Sequence, residues 1–266
     1  MLDREQKGSG EAWFVATSLV DAEEDVWDFW ASIWLGKEST GDGGVGPWIR
    51  DVGGKEIGLW EGGRGDAGED GRKGDWNPES AIVRQRGGEE LETELLMKCH
   101  CGGVEMRVRR PGGEDGYPGT PSDLVPADKN KYLAILDTCD SCRLISGCAM
   151  VQWAFVPTAN IRVPGEGGLI PYSPVFGSMT QYESSPGIKR TFCSTCGALA
   201  TYVDENKRPE CVDVAVGLMR AETGARAEQW LEWRERIAWV EELKWEGLRD
   251  GLGRGIGGYM KDKKAD

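Results

Sequence analysis

The sequence predicts a mainly β protein built from short antiparallel strands. Apolar and polar residues alternate over runs of about five residues, as in half-buried strands. Many of the 39 glycines and 12 prolines lie between these runs, where they end strands and form turns. A short C-terminal helix and a poorly ordered N-terminal extension complete the predicted fold.

The predicted N-terminal extension covers residues 1–92. Glycine and charged residues dominate from Gly36 to Gly88, a composition that offers little apolar surface for a core. We expect most of this extension to be disordered or loosely attached. Before the glycine-rich stretch, Asp21 is placed to cap a helix that ends near Leu35. The apolar face of that helix either packs on its own domain or docks on another chain or a lipid surface; it comprises Val26, Trp27, Trp30, Ile33 and Trp34.

A β domain is predicted over residues 93–241. Its expected strands are Val104–Val108, Tyr132–Leu136, Val151–Val156, Lys189–Phe192, Leu199–Val203 and Cys211–Val216. A helical segment is predicted from about Ala225 to Glu235, with Trp230 and Trp233 on one face, and a last strand over Ile237–Val240. Residues 242–266 are predicted to be a C-terminal tail.

Six of the eight cysteines lie in three close pairs. The pairs are Cys99 with Cys101, Cys139 with Cys142, and Cys193 with Cys196. Two such pairs brought together by folding complete a tetrahedral zinc site, so three pairs exceed the need of one ion. Asp137 precedes the surplus pair at a spacing that allows it to be a third ligand. Three ligands would leave a fourth position open, which is typical of a catalytic zinc site.

The charge balance excludes several classes of partner. The formal net charge is −13 and the isoelectric point is about 4.8, whereas nucleic-acid binding relies on clustered lysine and arginine. No run approaches the roughly 18 apolar residues of a membrane helix, and a secretory signal pattern is missing. We therefore expect a cytoplasmic protein without a nucleic-acid partner or a membrane span.

Cysteine usage agrees with a reducing compartment. Close pairs there hold metal more often than they form the alternative, disulfide bonds. The one histidine, His100, lies inside the first cysteine pair and is unavailable to a catalytic triad assembled elsewhere. Cys148 and Cys211 lie outside the pairs and are interpreted as small buried residues, with Cys148 as a reserve ligand.

Three motifs in order resemble the family of the glutathione-dependent formaldehyde-activating enzyme and centromere protein V. They read Cys-His-Cys-Gly-Gly-Val from Cys99, Cys-Asp-Ser-Cys-Arg from Cys139, and Arg-Thr-Phe-Cys-Ser-Thr-Cys-Gly-Ala from Arg190. The similarity covers about residues 94–240. It implies a β-tent fold with two zinc ions.

By the family pattern, a closed structural zinc is held by Cys99, Cys101, Cys193 and Cys196. The second zinc of the family is held by a Cys-x-Cys-x-x-Cys motif, whose first position is Asp137 in this chain. A carboxylate is an acceptable zinc ligand, so Asp137, Cys139 and Cys142 can form an open site. Alternatively, the substitution leaves this site empty and its two cysteines a free dithiol.

The resemblance implies a zinc-dependent carbon–sulfur lyase that acts on glutathione or another thiol adduct. The predicted catalytic residues are Asp137, Cys139, Cys142 and Arg143. The arginine either orients a substrate carboxylate or forms a structural ion pair. Zinc-bound water or a carboxylate such as Asp137 or Asp140 would transfer protons. An alternative is a zinc-stabilised interaction module without catalysis, and a third is redox sensing by Cys139 and Cys142. The oligomeric state is not predicted.

Overall fold

The computed structural model describes residues 31–32, 42, 44–59 and 91–265, and within them the protein is mainly β. The strands are β1 (Ala31–Ser32), β2 (Asp51–Val52), β3 (Lys55–Glu56), β4 (Gly58–Leu59), β5 (Glu94–Lys98), β6 (Glu105–Arg109), β7 (Tyr132–Asp137), β8 (Val151–Pro157), β9 (Ile161–Gly165), β10 (Gly168–Pro171), β11 (Met179–Ser185), β12 (Ile188–Cys193), β13 (Leu199–Asp204), β14 (Cys211–Ala215) and β15 (Leu231–Trp233). The α-helices are α1 (Asp140–Ser146) and α2 (Glu246–Ala265). The predicted mainly β class with a C-terminal helix is confirmed.

Two sheets dominate the fold. One has seven strands in the order β11-β12-β13-β14-β8-β7-β15, and the other has four in the order β10-β9-β6-β5. Within these two sheets, neighbouring strands are antiparallel, except that β15 runs parallel to β7. The two remaining pairs are β1 with β4 and β2 with β3.

One apolar core takes side chains from both large sheets. In β6, Met106 and Val108 are fully buried while Arg109 is exposed, as the alternation in the sequence predicts. Met97 of β5 forms an isolated bridge with Met219, which follows β14, and so links the two sheets directly. The cysteine motifs therefore lie on strands and turns held by a shared core.

All six predicted strands are present, and no strand end differs from the prediction by more than one residue. The helix predicted over Ala225–Glu235 is wrong, because Leu231–Trp233 form β15 at the edge of the large sheet. The strand predicted over Ile237–Val240 is also wrong. Ala238 forms a single bridge with Asp137, and a 3₁₀ turn begins at Val240.

The predicted tail, residues 242–266, contains helix α2, which packs on a segment of the predicted extension. A side chain at Gly251 or Gly255 would overlap the backbone carbonyl of Asp51 or Trp48, respectively, so these glycines allow close contact. Trp48 is 1% exposed and meets Tyr259 of α2 edge to face. Residues 44–59 are thus an integral part of the fold.

The prediction of a helix from Asp21 to Leu35 is wrong at Ala31–Ser32, which pair in parallel with Gly58–Leu59. Its remaining residues, like those of the extension outside 42, 44–59 and 91–92, lie outside the described residues. Within the part of the chain that is described, no helix is both long and apolar enough to cross a membrane. The domain boundaries at residues 92 and 241 stay a prediction.

Candidate metal centres

The first centre joins two chain segments that are distant in sequence. Cys99 follows β5 directly, Cys193 ends β12, and Cys101 and Cys196 lie in the turns that follow. Their four sulfur atoms lie within 4.8 Å of one another, and the Cys101 sulfur is 3.5 Å from those of both Cys99 and Cys193. The structure therefore brings together the four cysteines predicted to form one site.

These sulfur distances fit a tetrahedral metal site. Four thiolates about 2.3 Å from a zinc ion lie about 3.8 Å from one another, close to the 3.5 Å contacts observed. A soft, all-thiolate donor set of this kind suits zinc. It also leaves no open position, which is typical of a structural site.

Two similar turns shape this centre. The backbone N–H of Cys99 donates to the carbonyl of Val104 (3.0 Å), and that of Cys193 donates to the carbonyl of Ala198 (2.9 Å). Within each turn a glycine takes a left-handed conformation, Gly102 with φ 81° and Gly197 with φ 73°. This explains the glycine that follows each cysteine pair, because residues with a Cβ rarely adopt such angles.

Ser178, which no motif in the sequence indicates, connects the two turns. Its N–H donates to the Gly103 carbonyl (2.8 Å), and its own carbonyl accepts from the N–H of Ser194 (2.8 Å). Its hydroxyl lies 3.0 Å from the sulfur of Cys193. Donation from this hydroxyl, together with the N–H of Cys196, lowers the pKa of Cys193 to about 5. The Cys193 thiolate is therefore favoured at neutral pH.

The second centre comes from a single short segment. Asp137 ends β7, Cys139 is the N-cap of α1, and Cys142 lies in the first turn of that helix. Their three potential ligand atoms lie within 4.8 Å of one another. The Cys142 sulfur is 3.4 Å from Oδ2 of Asp137. The structure thus brings together the three predicted ligands, Asp137 included.

Local hydrogen bonds fix this arrangement. The N–H of Cys139 donates to Oδ1 of Asp137 (2.8 Å), and the N–H of Cys142 donates to the sulfur of Cys139 (3.3 Å). Both bonds follow from the helix N-terminus, where backbone donors lack partners within the helix. They orient the carboxylate and the thiol toward the same point. Three potential metal ligands converge there, rather than four.

Residues that follow β15 accept hydrogen bonds from the segment that forms the second centre. The Thr138 N–H donates to the Ala238 carbonyl (3.1 Å), and its hydroxyl reaches the carbonyl of Trp239 (2.9 Å). Trp239 has φ 54°, an unusual angle for a bulky residue, and its side chain is 55% exposed. This strained residue lies one position beyond the bridge to Asp137.

Arg190 is the neighbour of the second centre that the sequence analysis missed. It lies on β12, is 4% exposed, and donates from a terminal guanidinium nitrogen to the Cys142 sulfur (3.3 Å). The Cys139 contact and the Arg190 charge lower the pKa of Cys142, against the effect of burial. The only signal in the sequence was the position of Arg190 in the motif of the third cysteine pair.

Arg143, predicted as a catalytic residue, is buried and already paired. Its Nε donates to the Thr138 carbonyl (3.1 Å), and a terminal nitrogen donates to the Glu242 carbonyl (3.2 Å). The same nitrogen pairs with the carboxylate of Asp140. These contacts favour the structural ion pair over a role in substrate orientation.

The remaining cysteines and His100 lie outside both centres. Cys148 is exposed, so its interpretation as a buried residue is wrong, whereas Cys211 is buried as predicted. Neither belongs to a group of potential metal ligands among the described residues. His100 is exposed between Cys99 and Cys101.

The described part of the chain thus combines a mainly β fold with two groups of side chains that could hold a metal ion. Within it, residues 125–233 match the family described as glutathione-dependent formaldehyde-activating enzyme. The resemblance predicted from the motifs is thereby confirmed for this stretch, which is less than half of the chain. It contains the second and third cysteine pairs, and the fold brings the first pair, Cys99 and Cys101, to the third.

The other comparisons add little. A crystal structure of a Rhodobacter sphaeroides protein is 21% identical, with a TM-score of 0.33. The match covers 52% of the present chain and 99% of that protein. The comparison with curated proteins gave no significant match.

Proposed function

We propose that this protein is a zinc-dependent enzyme of the carbon–sulfur lyase type that acts on glutathione or another thiol adduct. The observation that carries the proposal is the convergence of Asp137, Cys139 and Cys142, with ligand atoms within 4.8 Å of one another. Three convergent donors leave room for a further ligand, unlike the four thiolates of the first centre. The family match over residues 125–233 supports a substrate related to glutathione.

The proposed reaction joins a thiol to formaldehyde. The sulfur forms a bond to the carbonyl carbon, the carbon–oxygen π bond breaks, and the thiol proton ends on the oxygen as a hydroxyl group. In the reverse direction the carbon–sulfur bond breaks, the proton returns to sulfur, and formaldehyde leaves. When bound, zinc would supply a Lewis acid that favours a thiolate and polarises a carbonyl group.

The residues of the chain divide into three roles in this proposal. Asp137, Cys139 and Cys142 hold the metal, and the four thiolates of the first centre hold a structural zinc. We assign proton transfer to Asp140, because its side chain is 54% exposed beside the second centre whereas Asp137 serves as a ligand. Arg143 holds the Asp140 carboxylate through the ion pair between them.

The direct test is turnover of S-hydroxymethylglutathione and other glutathione adducts by zinc-loaded protein. We expect wild-type protein and Cys148→Ser, a change at an exposed cysteine outside both centres, to be equally active. Asp137→Asn should abolish turnover, and Asp140→Asn should slow it about 100-fold without changing the zinc content. No turnover of any adduct by protein with two zinc ions would contradict the proposal.

The alternative function is an interaction module whose second centre is vestigial. It predicts that Asp137→Asn changes neither zinc content nor partner binding, so the same variant separates the two functions. We further propose a cytoplasmic location, since none of the eight cysteines forms a disulfide bond and a reducing compartment keeps cysteines available for metal.

A further inference from the structure

The second centre would keep a negative charge even with a divalent ion bound. The ligands of the second centre carry three negative charges when deprotonated, one more than a divalent ion neutralises. A residual negative charge near a protein interior is costly unless a cation is close. The surroundings of Asp137, Cys139 and Cys142 should therefore contain a positive group.

Arg190 is that group. Its terminal nitrogen lies 3.3 Å from the sulfur of Cys142, within range of a charge-assisted hydrogen bond to a thiolate. Among the described residues, the structure gives Arg190 no ion pair with a carboxylate, and its buried Nε has no hydrogen-bond partner. A 4% exposed guanidinium thus has the ligands of the second centre as its nearest anionic partner.

The sheet holds Arg190 in this position. Arg190 pairs with Tyr202 across β12 and β13, and its guanidinium lies over the Tyr202 ring, 4.8 Å from the centroid. Arg208 lies over the same ring at 5.4 Å but is engaged by Asp213, with one contact of 2.8 Å. The two neighbouring arginines therefore make different close contacts, with a carboxylate for Arg208 and a cysteine sulfur for Arg190.

We infer that Arg190 is the positioning residue of the second centre: it orients the Cys142 sulfur and offsets one negative charge of the ligand set. The inference uses the metal site of the proposed function and not its catalytic step. It also explains why an arginine stands three residues before Cys193 in the third motif. In the sequence Arg190 lies in the motif of the third cysteine pair, but in the fold it contacts a ligand of the second centre.

Cobalt binding tests this role, because Co²⁺ replaces zinc and its charge-transfer bands report on thiolate ligands. The probe is Co²⁺ alone, titrated against a chelator into protein that keeps the zinc of its first centre after the faster-released zinc of the second centre has been removed. Cys139→Ser, treated in the same way, supplies the baseline spectrum for subtraction. The variants are Arg190→Gln, which removes the charge, and Arg190→Lys, which keeps it. Arg110→Gln is the matched control, because Arg110 also stacks on an aromatic ring, 3.8 Å from the Trp230 centroid, but contacts no ligand.

We expect Arg190→Gln to weaken Co²⁺ binding at the second centre by about 10- to 100-fold, as loss of a partner of a metal ligand does. Its sulfur-to-cobalt band should move to longer wavelength, because a hydrogen bond to the sulfur no longer stabilises the lone pair. Arg190→Lys should lose less affinity, and Arg110→Gln should match wild type. A purely structural role for Arg190 would lower the unfolding temperature without moving the band.

Unchanged affinity and an unchanged band in Arg190→Gln would overturn the inference, and so would a wild-type protein that binds no Co²⁺ at the second centre. If Arg190→Gln does not fold, Arg190→Lys is measured instead. A shifted band in this variant supports the inference, and an unchanged band overturns it. Turnover is measured separately. A protein that shows the Arg190 effect but turns over no thiol adduct contradicts the proposed function and leaves this inference standing.

Discussion

The two cysteine centres differ in how the chain builds them. The first needs Cys99 and Cys101 from one sheet and Cys193 and Cys196 from the other, together with Ser178 between the turns. The second takes all three donors from Asp137–Cys142, and the distant residue Arg190 contacts one of the ligand sulfur atoms. A centre that joins distant segments contributes its binding free energy to folding. A centre contained in one short segment contributes little to folding and leaves its metal available for chemistry.

The largest expected effect is that of Cys196→Ser at the first centre. Structural zinc sites contribute on the order of 10 kcal/mol to folding, so losing one ligand should cost about 4 kcal/mol or more. In a protein of this size that lowers the unfolding temperature by about 10 °C, measurable by calorimetry. Cys148→Ser is the control, and an unchanged unfolding temperature in Cys196→Ser would contradict the assignment.

Chelator treatment should distinguish the centres by rate. The second centre offers three donors, one of them a carboxylate, against four thiolates in the first, so we expect its zinc to leave at least about tenfold faster. A colorimetric zinc assay would follow the two phases, and Cys139→Ser should retain only the slow one. Release of both ions in one phase would contradict the predicted difference in zinc release rate between the two centres.

Ser178→Ala should have a smaller effect. The variant keeps the backbone bonds of residue 178 and loses the hydroxyl at 3.0 Å from the Cys193 sulfur, at a cost of about 1 kcal/mol. Without that donor the pKa of Cys193 rises, so protons compete with the metal at higher pH. Zinc retention against pH should therefore show release beginning at a higher pH than in wild type, with Ser194→Ala as the control. An identical release curve would contradict the role of the hydroxyl.

The sequence was a sufficient guide where the pattern was local. Strands such as β6 follow from alternation, since Met106 and Val108 are buried on one face. The spacing of the cysteines, with the resemblance, predicted the two ligand groups that the fold brings together. Local spacing determines the strand and the second ligand group, and the resemblance supplied the pairing of distant cysteines in the first.

Features that depend on distant contacts were missed. Trp230 and Trp233 are spaced as on one helix face, but pairing with β7 makes Leu231–Trp233 a strand. The C-terminal helix was expected, but its position at α2 was not predicted, because six glycines between Glu246 and Ala265 disfavour an isolated helix. Close packing on residues 48–53, which Gly247 and Gly251 permit, compensates for that disadvantage. Ser178 and Arg190 reach their sulfur atoms through sheet topology that spacing does not encode.

The most direct test of two separate centres is the number of zinc ions per chain, measured by elemental analysis of protein purified without chelator. We predict two zinc ions in wild type and in Cys148→Ser, and one in Cys139→Ser. One zinc ion in wild type and in Cys139→Ser alike would contradict the second centre.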